Sequence, residues 1–265
     1  MNTTNHITRD VILFFIAFFA IQLVVTAVAA IINPELLNNA TAVCVTTAIS
    51  SVLTIALFAV MRWTPLRRDY LRSRPWGVLF WASILTLGTI IPSEVLNEII
   101  GADMPENMAR LFNQLMLKPW GFAVIAVLVP VAEEMVFRGA ILRTLLSHDT
   151  LAKHHWLAIA FSALLFAVAH GNMAQIPHAF LMGLLLGWMY YRTRSLVPGL
   201  VVHFVNNSVA FIICRLMPGM EDARLIDLLQ GNHVQEALYV GFSLLVFLPA
   251  LYQLHSRVPR HEEVA

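Results

Sequence analysis

Three short motifs set reactive side chains into otherwise apolar sequence: E-E-x-x-x-R at 133–138, F-x-x-x-H at 166–170 and H-x-x-x-N at 203–207. Carboxylates, imidazoles and amides are the groups that move protons, bind divalent metals or hold a developing oxyanion. Residues four apart share a helix face, so Glu134 pairs with Arg138. Glu133 is turned ~100° away, and its own i+4 neighbour is Phe137. One acid therefore has a local counter-ion and the other has none. Glu133 must face water, bind a metal, meet a histidine or hold a proton, which is the situation of a general base. The plain alternative is a structural ion pair near a helix end, with Arg138 snorkelling.

His203 and Asn207 also share one helix face, and both can donate toward one point, as an oxyanion requires. Interhelical hydrogen bonding is the alternative for this pair. Asn206, ~100° round the helix, reads as such glue. His170 closes an apolar run just before Gly171 and Asn172. The linker GNMAQIPH, with Asn172, Gln175 and His178, joins two runs too short to span comfortably. It reads as a turn within the membrane, where irregular backbone is tolerated only inside protein or beside a wet cavity. Gly183 to Gly187 (GLLLG) reads as a close-packing seam. Met173, Met182 and Met189 read as core or lipid-facing residues, and His148, His154 and His155 as a solvated turn.

The elements that must hold these groups are membrane helices. The chain has 265 residues, is 58% hydrophobic and only 12% charged, and has a mean hydropathy of +0.72. A soluble domain carries about 25% charge. The expected fold is an all-α polytopic bundle of about eight spans, near 11–32, 40–61, 76–92, 119–146, 156–171, 178–191, 196–214 and 234–254, forming one integral membrane domain over 1–265. AVA at 27–29 resembles a signal cleavage site, but the apolar run is longer than a signal h-region, so it reads as a retained helix. Cys44 and Cys214 form no metal or redox motif and read as small buried hydrophobes. A formal net charge of +1 gives no nucleic-acid signal.

Five arginines fall in 62–74. With both termini on the same side as this loop, Arg9, Arg138, Arg143, Lys153, Arg192, Arg194, Arg257 and Arg260 join them, thirteen of the 17 basic residues. The positive-inside rule then gives N-in and C-in, with 93–118 and 215–233 outside. In an antiparallel hairpin turning at 147–155, Glu133 and His170 lie at one level, ~21 Å from the turn, while His203 lies ~10 Å in from Leu196. The cluster is expected in the cytoplasmic half of the membrane.

The three motifs in this order, each on its own hydrophobic helix, resemble the CAAX-protease and bacteriocin-processing family, also called Abi, which includes the type II CAAX prenyl endopeptidases. The resemblance covers about 120–214 and implies catalytic core helices within 119–214. It also implies an intramembrane endopeptidase of a class described as metalloproteases, cleaving near the cytoplasmic face. By carry-over, Glu133 and His170 activate water and His203 and Asn207 hold the oxyanion, while Glu134, Arg138 and Phe166 support the site. No H-E-x-x-H is present. A zinc ion on Glu133, His170 and His203 and a metal-free glutamate mechanism both fit. The implied partners are a peptide or protein substrate and the lipid bilayer, in a bacterial plasma (inner) membrane, with no nucleic acid. Two other readings fit the same residues: a non-catalytic immunity or scaffold protein, and a proton-coupled transporter. Transporters often carry internal repeats, and no second E-E-x-x-x-R or H-x-x-x-N occurs in 1–118.

Overall fold

The computed structural model describes residues 3–65, 75–101, 104–118, 120–217 and 224–258. Arg67, Arg68, Arg72, Arg74 and Arg260 of the orientation count, and part of the 215–233 segment, lie outside them. The described residues are helical, with no strand among them. The helices are α1 (Thr3–Ile32), α2 (Ala40–Val60), α3 (Trp76–Ile100), α4 (Glu106–Met116), α5 (121–145), α6 (Asp149–Lys153), α7 (His155–Ala169), α8 (Ile176–Thr193), α9 (Val197–Leu216), α10 (Leu225–Leu228) and α11 (His233–Arg257). Five stretches are long and apolar enough to cross a bilayer: His6–Ile32, Ala40–Val60, Trp76–Ile100, Val197–Leu216 and His233–Arg257. Their outward residues, among them Leu23, Ile31, Phe242 and Leu245, are large, apolar and exposed. That is the surface an acyl-chain solvent calls for.

Local sequence sets the helix ends. Asn39 accepts from the Thr41 and Ala42 amides and starts α2. Pro177 and Pro198 stand in the first turns of α8 and α9, where a missing N–H costs nothing. Gly101, at φ +65°, ends α3. Here the expected bounds need correction. The third apolar run was read as 76–92, with 93–118 outside the membrane, yet the helix continues through Pro92 to Ile100, and 106–116 is an amphipathic helix. Ser93, Glu94 and Asn97 ended the hydropathy run in sequence. In the structure they line an internal cavity, so they need not end the helix.

Small residues set the packing distances. A Cβ on Gly183 would lie 2.7 Å from the Ala163 Cβ, and one on Gly187 would lie 2.9 Å from Ile159. The Gly183–Gly187 seam thus brings α8 against α7, as a small-residue interface does. Gly88 likewise lets α3 approach the Phe247 backbone of α11. Edge-to-face aromatic contacts run from α1 to the centre: Phe18 to Phe137 at 5.5 Å, then Phe137 to Phe166 at 5.3 Å.

Helix α5 is unusual. Ala123–Leu128 and Met135–Leu142 are wound at the wider i→i+5 pitch, on either side of Val129–Glu134. Such turns occur at functional sites. Carbonyls in these stretches accept side chains. Ile125 takes Asn207 Nδ2 at 2.9 Å, Met135 takes Thr64 Oγ1, Phe137 takes Ser162 Oγ at 2.9 Å and Gly139 takes Arg143 Nε at 2.9 Å. Three of these bonds come from outside α5, so its wide turns are tied to its neighbours.

Candidate active site

Glu134 and Arg138 are fully buried. Arg138 Nη1 donates to Glu134 Oε1 at 2.7 Å, closing the i,i+4 pair. Arg138 Nη2 reaches the Gly183 carbonyl at 3.3 Å, and the guanidinium lies 4.4 Å from the Phe166 ring centroid. One side chain thus joins α5, α7 and α8. The second oxygen of Glu134 has no hydrogen-bond partner, and Gly199 of α9 lies so close that a Cβ there would stand 2.8 Å from it. Glycine at 199 lets α9 come down onto the acid.

Glu133 has a different environment. It keeps 15% of its side chain exposed and faces a cavity of about 500 Å³. A water takes up roughly 30 Å³, so the space is far larger than a single solvent molecule needs. His203 sits between the two acids. Its Nε2 is 3.5 Å from Glu133 Oε2, and its Nδ1 is 3.4 Å from Glu134 Oε1. Of the four fates open to Glu133 in the sequence, the structure brings it to a histidine.

His170 caps the end of α7, and its Nδ1 lies 2.9 Å from the Phe166 carbonyl. A carbonyl only accepts, so Nδ1 carries the proton, and in the neutral ring Nε2 is left as an acceptor. Phe166 also stands edge-on to both imidazoles, at 4.9 Å from His170 and 5.7 Å from His203. Its place in F-x-x-x-H therefore combines tautomer, ring orientation and support of Arg138. Asn207 spends one amide proton on Ile125 and receives Asn206 Nδ2 on its oxygen at 3.2 Å. Its second N–H is available to the cavity.

Glu133, His170, His203, Asn207 and Phe166 all line this one cavity. Glu134 and Arg138 lie beneath it. The linker turn is also at the wall, with Asn172 donating to Gln175 Oε1 at 2.7 Å and to the His170 carbonyl at 3.1 Å. Asn206, expected as glue, lines the cavity together with His178 and donates to Asn207. Glu94 and Asn97 of α3 were not foreseen as cavity residues. Their signal was the polar set Ser93, Glu94, Asn97 and Glu98 at i, i+4 spacing within an apolar helix.

Among the described residues, no three His, Cys, Asp or Glu side chains gather as a metal site. His203 turns one nitrogen to each glutamate, and the bond of His170 Nδ1 to a carbonyl leaves its Nε2 as the free acceptor.

Fold and site define a polytopic helical membrane protein with a carboxylate–histidine cluster at the floor of a largely apolar cavity. Residues 115–209 match the family described as Type II CAAX prenyl endopeptidase Rce1-like. The chain is 27% identical over 149 residues to the membrane-embedded CAAX protease MroQ of Staphylococcus aureus (strain USA300). That alignment covers 54% of this chain and 59% of the relative, so the chain spans about three fifths of the length of the curated relative it matches. No solved structure matches it. The likeness to the CAAX-protease family is thus carried by the segment 115–209, and the motif-bearing helices α5, α7 and α9 fall almost wholly within it.

Proposed function

We propose that the protein is an intramembrane endopeptidase of a bacterial plasma membrane that hydrolyses peptide bonds with residues of α5, α7 and α9. Glu133 takes a proton from water held in the cavity, and His170 Nε2 accepts a hydrogen bond that orients the same water. The activated oxygen attacks the scissile carbonyl. The negative charge that develops on the carbonyl oxygen is met by the free N–H of Asn207 and by His203, whose Nε2 donates when it carries a proton. The proton on Glu133 then passes to the departing amine. Glu134, Arg138 and Phe166 keep His203 and His170 in place.

The observation that carries this reading is the unequal treatment of two adjacent acids. Glu134 is neutralised and sealed, while Glu133 is held at 3.5 Å from an imidazole on the wall of a cavity. A purely structural pair has no use for the second acid. The test is cleavage of a quenched fluorescent pool of hydrophobic peptides by purified protein in detergent. Glu133→Gln is expected to abolish turnover while the protein elutes and melts as wild type does. Undiminished turnover by that variant removes Glu133 from the mechanism.

A further inference from the structure

The basic residues and the cavity occupy opposite ends of the bundle. At one end, Arg143 Nη2 donates to the Trp63 carbonyl at 2.8 Å and Arg192 Nη2 to the Val258 carbonyl at 2.9 Å. The Arg257 side chain lies against Gly77, 3.5 Å from where a Cβ would be. These contacts gather the ends of α2, α5, α8 and α11 and the start of α3 at one face. At the other end, Arg215 Nη1 donates to the Leu117 carbonyl at 2.9 Å, and the Ile226 amide donates to Glu98 Oε1 at 3.2 Å. There the ends of α3, α4 and α9 meet α10.

From its floor at Glu133 and His203, the cavity runs toward this second end. Its walls include Glu94 and Asn97 near the end of α3, Met108 and Phe112 of α4, and Ala210 in the latter half of α9. Toward the basic end, the bundle is filled. Glu134, Arg138, Phe137, Leu142 and Leu186 are all fully buried, and Gly199 closes on Glu134. His203 is only six residues into α9, ~9 Å from its start. The cluster thus lies nearer the basic end, yet it opens away from it.

Lysine and arginine mark the cytoplasmic side, and among the described residues Arg62, Arg143, Lys153, Arg192, Arg194 and Arg257 stand at the helix ends and turns of the basic end. We propose that the cavity is reached from the non-cytoplasmic side, past α4, and is closed to the cytoplasm by the layer built on Glu134 and Arg138. Resting on the protease reading above, the substrate is then an apolar segment of an exported or membrane-anchored chain, presented from outside. The methionine and phenylalanine wall of α4 receives its apolar side chains. Among the described residues no lysine or arginine lines the cavity, while Glu94 and Glu133 do, so a basic residue beside the apolar segment suits it.

The test uses single cysteines in the full chain with Cys44→Ala and Cys214→Ala, and a charged maleimide that does not cross membranes. Met108→Cys and Ala210→Cys are expected to react in spheroplasts and to be silent in inside-out vesicles. Lys153→Cys, in α6 at the basic end, is expected to do the reverse. Reaction of both cavity cysteines only in inside-out vesicles overturns the proposal. So does silence of both from either side while Lys153→Cys labels normally, since the cavity is then reached from within the bilayer or not at all. Two cavity positions guard against one variant failing to fold. Labelling does not depend on turnover, so the side of access and the Glu133 chemistry stand or fall separately.

Discussion

Replacing Arg138 by methionine keeps most of the side-chain volume and removes the charge. Glu134 is then a carboxylate with no exposure and one oxygen already without a hydrogen bond, left beside the His203 ring, whose Nδ1 is 3.4 Å away. The Gly183 carbonyl also loses its donor. Breaking one side of a buried ion pair costs about 3–5 kcal/mol, because the remaining charge is left desolvated. Arg138→Met is therefore expected to lower stability by that amount. Glu134→Gln combined with Arg138→Met is expected to recover most of it, since no orphan charge remains. Glu133→Gln stands beside these as the contrast. Its side chain faces the cavity and has no salt-bridged arginine, so its stability cost is expected to stay below about 1 kcal/mol, as for changes outside a buried network. Its activity is expected to fall by ~10²–10⁴, the usual contribution of a general base. The assay is unfolding of purified protein in mixed detergent micelles, followed by tryptophan fluorescence, with turnover measured on the same samples. Equal destabilisation by Glu133→Gln and Arg138→Met, or a stable Arg138→Met protein, would refute the division of labour between the two acids.

Three further outcomes follow from the same geometry. Gly199→Ala puts a methyl 2.8 Å from Glu134 Oε2. It is expected to cost about 1–3 kcal/mol as an overpacked site and to reduce kcat by ~10²-fold through displacement of His203, with Gly199→Ser no better, as read by melting and steady-state kinetics. Asn207→Ala removes both the oxyanion donor and the partner of the Ile125 carbonyl. A loss of ~10²–10³ in kcat with little change in KM is expected, and a change confined to KM contradicts the oxyanion role. On the metal-free reading of Glu133 and His170, prolonged dialysis against a chelator is expected to leave both turnover and melting temperature unchanged. Loss of turnover that added zinc restores would show that these donors rearrange around an ion.

The helix repeat made part of the site legible from sequence alone. Glu134 and Arg138 lie four apart on one helix, so their pairing and the isolation of Glu133 follow from backbone geometry whatever surrounds them. The apolar runs announced membrane helices, and the glycines of 183–187 announced a close interface, because small residues have few other uses between apolar helices. Hydropathy misread residues 93–100 for a physical reason. It scores a side chain by polarity alone, and Ser93, Glu94 and Asn97 are polar toward an internal cavity on a helix that still continues. Other features depend on which helices meet. Only packing sets His203 between two carboxylates, commits one Asn207 proton to Ile125, and brings Gly199 down on Glu134. The same packing fills the bundle on one side of the cluster and leaves it hollow on the other. Local periodicity decided which face each group takes, while the approach of separate helices decided what it meets there, since those contacts join residues 45 to 82 positions apart.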